Sequence, residues 1–401
     1  MRILFLHDNF PAQFPHVATA LAKDPNNQVI FGTTRKEGEL PGVRRVRFQA
    51  KRQVKAETHH YLHGLERAVI TGEAVYQLGK QLKKEGFVPD VIYGHSGWGP
   101  PLFIKDVFPK SRLLCYFEWF YHSYGSDVDF DPAYPPTADD QARIRMKNAP
   151  ILLDLDACDR GMTPTHWQHQ QFPDEWKSKI DVITDGFDTQ LCKPIPGAKL
   201  KLDRISLDLS QAEQLITYTA WGMEPYRGFP QFMRAIAKLQ RSHPNLHAIV
   251  VGDDRVVYGR QRNDGKSWKD EMLSTLQLDE TRIHFPGKLP HDELRQVYQA
   301  SSAHVYLTRP FILSWSMMEA MASGCLVIAA DVPTTTEIIT DYQTGLLVDF
   351  FDSDAIAAKI EEAIQDSKQI KTIRQNARQH IIDHYSLKNT LANHLSWIKG
   401  E

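Results

Sequence analysis

At 401 residues the chain is too long for one ordinary hydrophobic core and fits two domains of roughly 150–200 residues each. Apolar residues make up 42% and charged residues 24%, which fills two cores and excludes a disordered or fibrous chain. A formal net charge of −2 offers no positive field for DNA or RNA, and the scattered Cys115, Cys158, Cys192 and Cys325 lack zinc-site spacing, so nucleic acid and structural zinc are both excluded as expectations.

In chain order, short β-branched or aliphatic runs alternate with longer amphipathic stretches, the pattern of parallel sheets connected by helices. Strands are predicted at Arg2–His7, Gln28–Thr33, Val91–His95, Arg112–Phe117, Gly161–Pro164 and Ile180–Thr184. The opening apolar run meets His7 and Asp8 before a signal-peptide core forms, and no stretch reaches the ~20 apolar residues that span a bilayer. A cytoplasmic protein with reduced thiols is expected, with peripheral membrane contact left open.

Cys192 to Ser210, rich in Lys, Pro and Asp, shows no sustained period and reads as a linker. Strands then resume at Leu215–Thr219, Leu246–Gly252, Arg282–Phe285, His304–Leu307 and Leu326–Ala329. The expected domains are therefore 1–195 and 211–385. A closing helix over 386–401, with Leu387, Leu391, Leu395 and Ile398 at helical spacing, is expected to pack back on the first. Two Rossmann-like α/β domains in tandem are expected to face a central cleft, where the carboxyl ends of both sheets meet one ligand.

The segment from Val305 to Gly324 carries the sharpest chemistry. A buried strand leads into a loop, and the loop opens a helix that Gly324 ends as a left-handed cap. Free N–H groups near Ser314, Trp315, Ser316 and Met317 form a phosphate site, and Glu319, about a turn further on, is placed to accept hydrogen bonds from ribose hydroxyls. The plainer alternative is that Ser316 and Glu319 form a capping box and need no ligand.

The same segment continues through Cys325-Leu326-Val327-Ile328-Ala329 to Glu337-Ile338-Ile339. This succession resembles the donor site of the family 4 retaining glycosyltransferases, whose fold is GT-B. The resemblance extends to Pro89-Asp90-Val91-Ile92-Tyr93-Gly94-His95, to the turn Asp185-Gly186-Phe187-Asp188 and to Glu224-Pro225-Tyr226-Arg227-Gly228, covering most of the chain. More narrowly, Phe10-Pro11-Ala12-Gln13-Phe14, Gly97-Trp98-Gly99 and Phe117-Glu118 look like a bacterial subgroup of that family.

The resemblance implies a nucleotide-sugar donor held mainly by the second domain, with Phe311, Ser314, Trp315, Ser316, Glu319, Gly287, Lys288 and Leu289 beside it. It implies catalytic roles for His95 and Arg227, and places Asn9, Gln13 and Glu118 on the acceptor side. The nucleotide sugar is a substrate, and neither cofactor nor metal is called for. The acceptor is left open among glycan, lipid-linked, protein and small-molecule hydroxyls. Alternatives are a nucleotide-sugar epimerase or phosphorylase of the same architecture, or a non-catalytic nucleotide-sugar-binding subunit.

Three departures from the family pattern stand out. Phe311 occupies the place, eight residues before Glu319, where the family carries a sugar-contacting glutamate. Ala220-Trp221-Gly222 replaces the usual arginine, leaving Arg227 as the clear cation for the diphosphate, with Arg309 and Lys288 as candidates for a second. The glycine-rich loop after the first strand is replaced by Asn9-Phe10-Pro11-Ala12-Gln13. A lone histidine after a strand is commonly structural, but at the carboxyl end of a parallel strand His95 is read as a ligand contact. Asp127, Asp129 and Asp131 lack the glycine and terminal glutamate of an EF-hand and read as a turn.

Overall fold

Alternation along β1 (Arg2–Leu6) sets the architecture of the first half. Leu4 and Leu6 enter one apolar cluster with Ile30, Ile92 and Leu113, while Ile3 and Phe5 enter another with Val29, Phe31, Tyr93 and Leu114. A strand buried on both faces belongs to a parallel sheet covered by helices on each side. The computed structural model describes residues 1–401, which divide into two units, 1–186 with 388–401, and 187–387.

In the first unit β1 is joined by β2 (Gln28–Thr33), β3 (Val43–Arg47), β4 (Val91–His95), β5 (Arg112–Tyr116), β6 (Arg160–Thr163) and β7 (Ile180–Val182) in the order β3-β2-β1-β4-β5-β6-β7. All pairings are parallel. The order reverses between β1 and β4, so the loops leaving their carboxyl ends diverge and open a crevice. The helix Leu387–Lys399 packs on this sheet through Leu391, Leu395 and Ile398. Trp397 Nε1 donates to Asp181 at 2.7 Å, and Arg112 donates to the Trp397 and Ile398 carbonyls.

The second unit repeats the plan. A short antiparallel pair, β8 (Lys201–Leu202) and β9 (Leu207–Asp208), precedes β10 (Gln214–Gly222), β11 (Leu246–Asp253), β12 (Ile283–Gly287), β13 (Ala303–Tyr306), β14 (Val327–Ala330) and β15 (Leu346–Val348). The sheet order is β12-β11-β10-β13-β14-β15, reversing between β10 and β13. No helix is long and apolar enough to cross a membrane.

Two readings of the sequence change here. Residues 192–210 are not a free linker, because Leu200, Leu202 and Leu209 are buried against Leu215, Ile249, Val251 and Val297. Their Lys/Pro/Asp-rich neighbours masked this packing. The edge strands β3 and β15 were not anticipated: β3 reads Val-Arg-Arg-Val-Arg and stays largely solvated, and β15 is only three residues long.

Candidate functional site

The chemistry of the second unit gathers where β10 and β13 end side by side. After β10 the chain makes a single turn, Pro225–Arg227, and reverses through Gly228 at φ +70° into the helix Phe229–Ser242. A Cβ on Gly228 would stand 2.5 Å from the Leu307 Cβ, so both the conformation and the space demand glycine. The turn directs Arg227 beneath the loop that follows β13. Its guanidinium donates to Thr308 Oγ1, lies 3.5 Å from the Tyr306 hydroxyl and 3.5 Å from the Ile312 carbonyl, and is only 7% exposed. Burial opposes its charge, but the hydroxyls of Tyr306, Tyr258 and Tyr226 outweigh that and hold its pKa above the ordinary value.

Rings close around this cation. The guanidinium carbon lies 5.2 Å from the Tyr258 centroid and 5.9 Å from that of Tyr226, while Arg309 lies 5.2 Å from Tyr226 on its own account. Phe311 stands edge-on to Tyr226 at 5.6 Å and to Tyr258 at 5.9 Å. The position expected to carry a glutamate thus completes an aromatic group beside Arg227.

The helix Trp315–Ala322 starts at the same place. Ser314 is its N-cap, with Oγ accepting from the Ser316 amide, and the Ser314 amide donates to the Tyr306 hydroxyl at 2.8 Å. Tyr306 therefore links Arg227 to the helix start. The capping-box alternative is corrected by this geometry: the capping oxygen belongs to Ser314, so Ser316 is already helical and Glu319 sits in the second turn. Burial pushes the Glu319 carboxyl up to about 7, opposed by the charge of Arg295. The helix ends where Gly324 takes φ +77°.

The remaining donor candidates are placed differently. Gly287 closes β12 at φ +70°, and Lys288 Nζ stands 4.3 Å over the Trp221 ring. Leu289 packs against the Leu200 cluster, and Trp315 meets Phe187 edge-on at 6.4 Å.

In the first unit the corresponding switch point joins the ends of β1 and β4. His7 follows β1 and His95 ends β4, with ring centroids 4.6 Å apart. His95 stacks on Tyr116 at 5.3 Å, donates from Nδ1 to the Ser96 carbonyl, and has Nε2 3.8 Å from Glu118 Oε2. Gln13 Nε2 reaches Glu118 Oε1 at 3.5 Å. Asn9 donates its amide to His7 Nδ1 and accepts from Arg35 at its side-chain oxygen. His95 is only 2% exposed, with Nε2 shielded, so the carboxyl that presents to solvent is Glu118, whose side chain is 30% exposed.

Burial shapes the protonation of this group. It pushes His95 down to about 4, and lowers His7 well below its ordinary value with the His95 charge adding to the effect. It raises Glu118 to about 7, helped by Asp185 and opposed by Gln13, and raises Asp8 to about 6 against the pull of Arg35. Both imidazoles are therefore uncharged near neutral pH. Asp129 accepts from the Gly125 and Ser126 amides in a turn, and no group of three or more His, Cys, Asp or Glu is arranged to hold a metal ion.

Two family models match the chain, the Glycosyl transferase family 4 group over residues 25–192 and the Glycosyl transferases group 1 over 209–380. The chain belongs to the family 4 glycosyltransferases. Among curated relatives, the D-inositol 3-phosphate glycosyltransferase of Acidothermus cellulolyticus is 24% identical over 54% of the chain and 48% of that protein. The O-antigen chain mannosyltransferase B of Escherichia coli is 32% identical over 32% of the chain and 34% of its own length. The chain thus spans about half or less of the length of these relatives. Among solved structures, Anabaena HepE in complex with UDP-glucose superposes with a TM-score of 0.73 at 18% identity, covering 99% of this chain and 100% of that one. Sucrose-phosphate synthase of Thermosynechococcus elongatus gives 0.71 at 17% identity over 100% and 98%. The two Rossmann-like units are those of the GT-B fold.

Of the residues singled out in the sequence, the fold brings Arg227 and Ser314 together on Tyr306, with Ser316 beside Ser314 and Phe311 against Tyr226 and Tyr258, and it brings His95, Gln13 and Glu118 together in the first unit. Reading the sequence missed Tyr226, Tyr258, Tyr306 and Thr308, and it missed His7. The available signal was position: each lies at or just beyond the carboxyl end of a parallel strand, apart from Tyr226 in the turn after β10. Strand adjacency, which makes neighbours of the ends of β1 and β4, is not written in local sequence.

Proposed function

We propose that the protein transfers a glycosyl group from a nucleoside diphosphate sugar to an acceptor hydroxyl, with retention at the anomeric carbon and without a metal ion. The observation that carries this reading is the buried Arg227, tied through Tyr306 to the start of the helix Trp315–Ala322. A guanidinium and a helix N-terminus converging on one place suit a diphosphate, and both act most strongly on the charge that develops as it leaves. Glu319, in the second turn of the same helix, is assigned to the ribose hydroxyls.

In the reaction the bond from the anomeric carbon to the diphosphate oxygen breaks, and a bond to the acceptor oxygen forms on the same face. The acceptor proton passes to the departing phosphate oxygen. Arg227 and the helix N–H groups supply the counter-charge, so the scheme calls for no divalent cation. In the first unit Glu118 is assigned to an acceptor hydroxyl, and His95, set behind it, to holding that carboxyl in place. The UDP-glucose bound by HepE supports a nucleoside diphosphate hexose as the first donor to try.

The test is a panel of UDP-, GDP- and ADP-sugars, with and without a chelator, following nucleotide release and the anomeric configuration of product by NMR. Chelator-insensitive release with retained configuration is expected. Release from none of the donors, with or without candidate acceptors, counts against the reading.

A further inference from the structure

Glu224 precedes the turn that carries Arg227, and it is fully buried in a place where no cation pairs with its carboxylate. Its partners are three consecutive backbone amides. Oε1 accepts from the Val257 and Tyr258 N–H groups, both at 3.0 Å, and Oε2 accepts from Gly259 at 2.6 Å. Burying an ionised carboxylate is costly unless its oxygens are satisfied, and charge-assisted bonds to several N–H groups are the strong kind that can offset that cost.

The arrangement is built for close approach. A Cβ on Gly259 would stand 2.8 Å from Glu224 Oε2, and one on Gly222 would stand 2.4 Å from the Arg255 carbonyl. Two glycines therefore let the loop after β11 lie against the end of β10. That loop has neither helix nor strand, and Val257, Tyr258 and Gly259 are all exposed. The carboxylate beneath it ties three consecutive residues of that loop, Val257, Tyr258 and Gly259, to the end of β10.

The loop holds Tyr258 over the Arg227 guanidinium at 5.2 Å and stacked on Tyr226 at 5.1 Å. The Glu224 carbonyl meanwhile accepts from the Arg227 amide at 3.3 Å and the Phe229 amide at 3.3 Å. One residue thus shapes both the turn under the cation and the loop above it. We propose that Glu224 is a positioning residue, holding loop 254–259 so that Tyr258 covers Arg227 and keeps its guanidinium aimed at the donor diphosphate. The inference rests on the reading of Arg227 as the diphosphate cation.

Glutamine in place of Glu224 retains one acceptor oxygen but sets an NH2 group against an amide donor and removes the charge. The experiment combines hydrogen exchange at the Val257, Tyr258 and Gly259 amides with titration of whichever of UDP, GDP and ADP the wild type binds. Glu224→Gln is expected to speed exchange at those three amides and weaken nucleotide binding about tenfold. Tyr258→Leu, at an exposed position, is expected to weaken it comparably with the amides still protected. In an Arg227→Ala background, Glu224→Gln is expected to add less than about twofold, since the two act through one contact. Faster exchange with unchanged affinity, or an equal loss with and without Arg227, overturns the inference. A loss in Arg227→Ala with none in Glu224→Gln overturns it alone, whereas unchanged affinity in Arg227→Ala overturns the donor-site reading and this inference with it.

Discussion

The carboxyl edges of the two sheets occupy equivalent topological positions and carry opposite chemistry. In the second unit the strand ends surround a buried guanidinium with tyrosine rings, hydroxyls and a helix start. In the first they gather carboxyls pushed toward neutrality and imidazoles kept uncharged. A switch in strand order opens a crevice in each sheet, but the residues just beyond the strands decide what the crevice can hold. A cation among rings suits a phosphate, while acceptor oxygens beside uncharged histidines suit hydroxyl donors.

The strongest way to break this contrast is to remove the cation. Arg227→Ala is expected to cost about 2–4 kcal/mol of transition-state stabilisation in kcat/KM with a nucleotide-sugar donor, the scale of one preorganised charge contact. Circular dichroism should report an intact fold. Near-wild-type turnover would remove Arg227 from the diphosphate.

Glu319 sharpens the second-unit side. Glu319→Ala is expected to weaken nucleotide binding by about 1–2 kcal/mol, and Glu319→Gln to lose less, because the amide keeps one acceptor for a ribose hydroxyl. Calorimetric titration with UDP, GDP and ADP reads the difference. Affinity that is the same in all three proteins would show that Glu319 serves the helix rather than the nucleotide.

The first-unit side is open to pH. Glu118 has its folded pKa raised from 4.5 to about 7, so between those values the native protein holds a proton that the unfolded chain has released. The contribution of Glu118 to stability accordingly falls as pH rises through that window and is level above it. His95, lowered to about 4, slopes the other way up to its ordinary value of 6.5, so the wild-type profile mixes both. Glu118→Gln isolates one of them: relative to wild type its melting temperature should rise between pH 5 and 8. Discounted for the partly exposed carboxyl, the effect is on the order of 1 kcal/mol. A difference that does not vary with pH would mean that Glu118 is not held protonated.

Phe311 tests the aromatic group itself. A ring in place of the family's glutamate offers one acceptor fewer for a sugar hydroxyl, so tolerance of deoxy-sugar or pentose donors is expected. Phe311→Glu should shift preference toward the fully hydroxylated hexose by about 0.5–1 kcal/mol. A donor panel run on both proteins checks it. Strict hexose preference in the wild type, unchanged in the variant, would show that position 311 faces Tyr226 and Tyr258 without facing the sugar.

By itself the sequence determined the two α/β units, the strands that run through their cores, and the segment from Val305 to Gly324 with its cap, helix and terminating glycine. These features are local: a run of β-branched residues, a serine before a helix and a glycine after it act through near neighbours. Only the tertiary structure decided which serine caps that helix, that the leucines in 192–210 are core, and that His95 lies behind Glu118. It also decided that Glu224 binds the amides of Val257, Tyr258 and Gly259 so that Tyr258 meets Arg227. Apart from the cap, where Ser314 bonds the amide two residues on, those contacts join residues tens of positions apart, and they exist because parallel strand order and two close glycine approaches bring distant backbone together, which no local pattern of residue types encodes.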